Sequence, residues 1–70
     1  MLVRASSAVV ERDSRDHKLH VYIHVGAEVI KRPLPKSAEG AGEDTLRSEA
    51  VKTAKDEGYD VEPGKVSVKQ

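Results

Sequence analysis

Three histidines are the side chains of this sequence best suited to chemistry near neutral pH: His17, His20 and His24. Histidines share a metal ion only when their ring nitrogens converge on it. Along an extended strand, His20 and His24 would have Cα atoms about 13 Å apart, whereas zinc requires nitrogens about 2.0–2.1 Å from the ion. Tyr22 occupies the position between them that would suit a pair better. The spacing therefore predicts no metal site, and we expect no cofactor.

Catalysis by a histidine needs a nucleophile or a second acid placed beside it. Asp16 and His17 are adjacent and Ser14 is near, but no phosphate-binding loop or nucleophile elbow surrounds them. The stretch Gly40–Gly42 precedes a predicted helix, yet neighbouring carboxylates oppose the binding of an anion there. We therefore predict that the protein is not an enzyme.

The histidines belong to the clearest strand, Lys18 to Val25, in which aliphatic and polar residues alternate. The alternation predicts that His20, Tyr22 and His24 share the face that points away from the core. Neighbouring strands can add cations to this face, and the predicted binding residues are His20, Tyr22, His24, Arg12 and Lys31.

Two functions fit such a face. The first is a small interaction or regulatory module that self-associates, or binds a protein partner, through its sheet or a sheet edge. The residues from Lys65 to Gln70 predict a short strand that could be this edge. The alternative is binding of RNA or single-stranded DNA, by stacking of bases on Tyr22 and neutralisation of phosphates.

The remaining elements follow from local patterns. Ala8 to Arg12, with a start that could extend back towards Leu2, predicts a strand paired in a hairpin with the next one. Val29 to Arg32 predicts a third strand after a turn at Gly26. Glu43 to Glu57 predicts a helix with Asp44 as its N-cap and Gly58 just past its end.

The predicted fold class is α+β, with a small antiparallel sheet of three to four strands, one helix on one face, and the order β-β-β-α-β. Residues 1–70 form a single domain. Within it we expect a hairpin or meander over 1–32, a flexible loop over 33–42, the helix over 43–58 and the terminal strand over 65–70.

Size and composition make the core thin. The chain has 70 residues, no Phe, Trp or Cys, and only two aromatic residues. Small domains usually gain stability from disulfides, a metal or a partner; here self-association is the route we expect. No apolar run reaches the length of a membrane span, no signal peptide is evident, and the expected location is cytoplasmic.

The charges divide unevenly along the chain although the formal net charge is zero. Residues 1–36 carry seven Lys/Arg and four Asp/Glu, and residues 37–70 carry five and eight. This asymmetry suggests a basic sheet face opposite an acidic helix face.

One family resemblance rests on short segments. The run His20-Val21-Tyr22-Ile23-His24, then Pro33 and Pro35, then Thr45-Leu46-Arg47-Ser48, faintly resembles HicA-type RNA-cleaving toxins over about half the chain. That resemblance would imply a double-stranded-RNA-binding-like fold and an acid–base role for His20. The chain departs from the pattern, because it lacks the Gly-Ser before the histidine and a first helix. We therefore assign no family and keep RNA cleavage as a minor alternative.

Overall fold

A computed structural model describes residues 2–69 and shows an α+β fold with a helix packed on a sheet, as the sequence predicts. The strands are β1 (Val3–Arg4), β2 (Ser7–Arg12), β3 (Leu19–Val25), β4 (Glu28–Pro33), β5 (Tyr59–Asp60) and β6 (Val66–Val68). The helix α1 spans Glu43–Asp56, and two short 3-10 turns span Lys36–Ala38 and Pro63–Lys65. The predicted order β-β-β-α-β matches β2, β3, β4, α1 and β6. The two-residue strands β1 and β5 were not predicted.

Four strands form one sheet in the order β4-β3-β2-β6, and β1 pairs separately with β5. The pairs β2–β3 and β3–β4 are antiparallel, but β2–β6 is parallel. The prediction of a wholly antiparallel sheet is therefore wrong at β6. Because α1 carries the chain back across the sheet, the strand that follows it runs in the direction of β2.

Both hairpins are closed by short loops. β3 and β4 are joined by Gly26 and Ala27, as Val25 pairs with Glu28. Gly26 has φ +59° and Ala27 does not have a positive φ, which fits a type II′ turn. The predicted turn at Gly26 is thus confirmed. β2 and β3 are joined by a polar loop, which is closed by a hydrogen bond of 2.9 Å from the Asp13 amide to the Lys18 carbonyl.

The core lies between α1 and one face of the sheet. Leu46, Ala50 and Ala54 of α1 are at most 1% exposed, and they pack against inward residues of β2 and β3 such as Val10 and Ile23. Alanine at these positions lets the helix approach the sheet closely. Among residues 2–69 this 14-residue helix is the longest, and none reaches the length and apolarity of a membrane span.

The helix ends differ in how well they were predicted. The N-cap is Gly42 and not Asp44, which lies in the first turn of α1. The prediction of Asp44 as the cap is wrong because the helix begins one residue before it, and the Asp44 carboxylate instead contacts Arg47 at 3.3 Å. At the other end Gly58 has φ +91°, the left-handed conformation expected of a residue just past a helix.

The segment 33–42, predicted to be a flexible loop, carries more structure than expected. It contains the 3-10 turn Lys36–Ala38, and Ala38 is fully buried in the core. Arg12 also binds Glu39 of this segment at 3.0 Å. The mobility of the segment stays a prediction.

The thin core makes stability sensitive to the loss of a single methyl group. We expect Ile23→Val, at a fully buried site, to lower the free energy of unfolding by about 0.5–1.5 kcal/mol. Val29→Thr, at a residue 55% exposed on the neighbouring strand, should change it by less than about 0.5 kcal/mol. Urea melts of both variants test this, and equal effects would contradict the assignment of the core.

Gly58 tests the conformation at the end of α1. A Cβ at Gly58 would meet nothing within 4 Å, so the cost of Gly58→Ala comes from its positive φ alone. We expect a loss of about 1–2 kcal/mol in the free energy of unfolding. Gly64→Ala is the matched control, since Gly64 has the same open space but not the left-handed φ. Thermal melts that rank the two variants the other way would refute this account.

Candidate functional site

The face of the four-stranded sheet opposite α1, here called the outer face, holds most of the predicted binding residues. Strand register fixes its rows: Tyr22 lies between Val9 and Lys31, and His24 lies between Ser7 and Val29. His20 lies between Glu11 and Pro33, and Ser67 of β6 lies beside Val9. The sequence alternation on β3 therefore placed His20, Tyr22 and His24 on one face correctly.

The three β3 residues differ in exposure. Tyr22 and His24 are half-buried, whereas His20 is only 8% exposed. His20 is thus buried although it lies on the face that points away from the core, which the alternation alone does not predict. Because the β2–β3 loop holds Asp16 and Lys18 against the ring, His20 is covered from the end of the strand.

Both ring nitrogens of His20 face groups of this loop. Nδ1 lies 3.1 Å from the Lys18 carbonyl, and since a carbonyl can only accept, Nδ1 must carry the proton it donates. Nε2 lies 3.6 Å from the Asp16 carboxylate.

Lys31 joins β4 to the same loop. Its ammonium contacts the Asp13 carboxylate and lies 5.8 Å from the centre of the Tyr22 ring. The hydrogen bond from Lys31, with that from the Arg15 amide, lowers the pKa of the Asp13 carboxyl to about 2. The same bond raises the pKa of Lys31. The cation predicted to bind a ligand is therefore already neutralised.

Arg12 is engaged in a similar way. It lies opposite Leu19 in the register, and its guanidinium donates to the His17 carbonyl and to Glu39. A hollow of about 520 Å³ at this end of the outer face is lined by Arg12, Tyr22 and Lys31, together with residues of the β2–β3 loop. The structure thus brings together three of the five predicted binding residues. His24 lies further along β3, and His20 is buried.

Ion pairs cross between the two halves of the chain. Arg4 pairs with Asp60 and Glu62, and Arg32 pairs with Glu57, as Arg12 does with Glu39. Cations of the first half therefore meet acids of the second half. The suggested contrast between a basic sheet face and an acidic helix face is weakened by this pairing.

The two sheet edges offer little to an incoming strand. The Lys69 amide donates to Val10, so the main chain of Val66 and Val68 faces away from β2. The Val66 amide is bound by the Pro63 carbonyl, and the Val66 carbonyl accepts from Arg47 at 3.4 Å. The predicted edge strand is therefore an edge, but half of its outward groups are occupied.

The other edge is β4, where the bond from Leu34 to Leu19 implies that Val29, Lys31 and Pro33 face outward. Pro33 has no amide hydrogen to donate. The Lys31 carbonyl accepts from Arg32 at 2.9 Å. A lysine and a proline on an edge are features that oppose strand addition.

The sequence interpretation missed the role of Asp13 and Asp16. It considered Asp16 only as a neighbour of His17 and assigned no role to Asp13, whereas both carboxylates lie against the outward residues of β3 and β4. The sequence signal for this contact is the spacing of four residues between Asp16 and His20. The return of the loop onto the strand is visible only in the structure.

Comparison of the chain with protein-family models, with curated proteins and with solved structures finds no match.

The Asp13–Lys31 pair can be tested through the pKa of the Asp13 carboxyl, which also determines what the pair contributes to stability in acid. The folded pKa of Asp13, about 2, lies below its ordinary value of 3.8. The pair therefore stabilises the fold above pH 3.8, and that contribution is lost as the pH falls from 3.8 to about 2. We expect Lys31→Met to raise the Asp13 pKa towards 3.8, as measured by NMR of the carboxyl carbon. Lys65→Met, at an exposed site in a 3-10 turn, is the control, and an unchanged Asp13 pKa in Lys31→Met would contradict the pairing.

Proposed function

We propose that the protein is a non-enzymatic interaction module whose outer face binds a second copy of the chain. The single observation that carries the proposal is the composition of this face. Val9, Tyr22 and Val29 lie on adjacent strands, Val29 is 55% exposed, and no element among residues 2–69 covers them. Val9 and Tyr22 are half-buried, and an apolar group of this kind around a tyrosine is typical of interfaces.

Electrostatics favour a like copy over a nucleic acid. Lys31 on the outer face is neutralised by Asp13, and Arg12 at the end of β2 is neutralised by Glu39. The whole chain has a formal net charge of zero, so two copies meet without net repulsion. A polyanion gains affinity mainly from free cations, and here two of the predicted ones are paired.

The size of the face limits the strength of association. Three strands of six or seven residues and β6 of three residues, about 4.8 Å apart and at about 3.3 Å per residue, give roughly 350 Å². A stable complex usually buries about 800 Å² on each partner. We therefore expect a reversible dimer with a dissociation constant on the order of 10⁻⁵ to 10⁻⁴ M, formed by face-to-face packing of two sheets. We keep the cytoplasm as the proposed location.

A charge placed on the outer face should abolish association. We expect sedimentation equilibrium to show a monomer–dimer exchange for the wild type and monomer only for Val29→Glu, since the new carboxylates would be buried in the interface. Val3→Glu is the matched control, because Val3 is 53% exposed but lies outside the four-stranded sheet. It should dimerise as the wild type does.

Two results would reject the proposal. One is a wild type that stays monomeric up to millimolar concentration. The other is salt-sensitive binding of a single-stranded RNA oligomer that is lost in Tyr22→Ala, which would support the nucleic-acid alternative.

A further inference from the structure

The β2–β3 loop and the start of β3 bring together three groups that bind metals. Each of Asp13, Asp16 and His20 contributes a ligand atom, and these atoms lie within 4.8 Å of one another. The two carboxylates come from a loop and the imidazole from a strand. This group is named the Asp-Asp-His cluster below.

We propose that the Asp-Asp-His cluster binds a divalent transition-metal ion. Sequence spacing argued against a metal only for pairs of histidines on one strand. The structure offers a different set, because the loop returns two carboxylates to a single histidine. This proposal is independent of the proposed dimer.

His20 is the group that points to a ligand beyond the acidic residues. The residue is more than nine-tenths buried, and Nδ1 donates its proton to the Lys18 carbonyl. In the neutral ring Nε2 is then the nitrogen with the free lone pair, and the charged group that faces it is the Asp16 carboxylate, 3.6 Å away. A backbone carbonyl that fixes the remote nitrogen is the usual support for a histidine that binds metal.

The Nε2 atom of His20 is accessible from solvent. No fully buried side-chain nitrogen or oxygen of the described residues lacks a hydrogen-bond partner. Nε2 has none, so it keeps contact with solvent. The Asp16 oxygen 3.6 Å away belongs to a side chain that is 45% exposed and can adjust its position.

A backbone amide holds one oxygen of each carboxylate and leaves the other oxygen for a second partner. One oxygen of Asp13 accepts from the Arg15 amide, and one oxygen of Asp16 accepts from the Lys18 amide at 2.9 Å. The other oxygen of each is directed to Lys31 or to His20. Ligand atoms around tetrahedral zinc are about 3.3 Å apart, so the cluster must contract by about 1.5 Å at most.

Ligand type selects the metal. One imidazole with two carboxylates suits zinc, manganese, iron or nickel, whereas magnesium and calcium prefer oxygen ligands alone. Three protein ligands leave at least one position for water.

Lys31 competes with the ion. Its ammonium contacts the Asp13 carboxylate, and its side chain is 44% exposed and so can move into solvent. Binding therefore exchanges one cation for another at Asp13. Removal of the Lys31 side chain should raise the affinity for the metal ion. If the three residues only stabilised the loop, no such increase would be expected.

The test is calorimetric titration of the full chain with Zn²⁺ and, as a negative control, with Mg²⁺. We expect one Zn²⁺ per chain in the wild type, at least a tenfold loss of affinity in His20→Gln and in Asp16→Asn, and at least a threefold gain in Lys31→Met. His24→Gln is the matched control on the same face of β3 and should stay within twofold of the wild type.

Circular dichroism checks that each variant is folded. If His20→Gln does not fold, the affinity of Lys31→Met for Zn²⁺ still decides the test. NMR of the wild type should show that Zn²⁺ shifts the ring signals of His20 and not those of His17 or His24. Absence of saturable Zn²⁺ binding by Lys31→Met, or an equal loss of affinity in His24→Gln, would overturn the proposal.

Discussion

Close contact between α1 and the inner face of the sheet is the interaction on which the rest of the structure depends. Without Phe or Trp, the core is filled by small aliphatic side chains, and no residue is large enough to bridge a wide gap. Ala50 and Ala54 let the helix backbone approach β2 and β6 closely. Dense packing at short range then replaces the large contact area of aromatic residues. The same arrangement leaves the outer face without a covering layer.

Periodic segments were predictable from the sequence and short ones were not. The alternation in β3 and the apolar stripe of α1 extend over enough residues to define a face. β1 and β5 have two residues each, which is too short for a periodic pattern. They pair because β1 directly precedes β2 and β5 directly follows α1, and these longer elements place the two segments side by side. The N-cap was misplaced for a related reason, since Asp44 and Gly42 both satisfy the local preference and tertiary contacts decide between them.

The candidate site was predicted in part. Register gives the outward direction of His20, Tyr22 and His24, but burial depends on what folds over the sheet. The loop after β2 buries His20 and neutralises Lys31, and neither effect has a periodic signal. Spacing along one strand is therefore a poor guide to metal ligands when a turn supplies the other donors. Ionic partners distant in sequence, such as Arg32 and Glu57, were equally hidden.

The parallel pairing of β2 with β6 also has a consequence for how the chain folds. β2, β3 and β4 are joined by short turns, so their contacts form after closure of small loops. Pairing of Ala8 with Val66 closes a loop that contains most of the chain. Closure of such a long loop costs more conformational entropy than closure of a short turn. We therefore expect the meander to form before β6 docks on it. Until β6 docks, the main-chain groups of Ala8 and Val10 that face it have no strand partner, so this edge of β2 is open in any partly folded form of the chain.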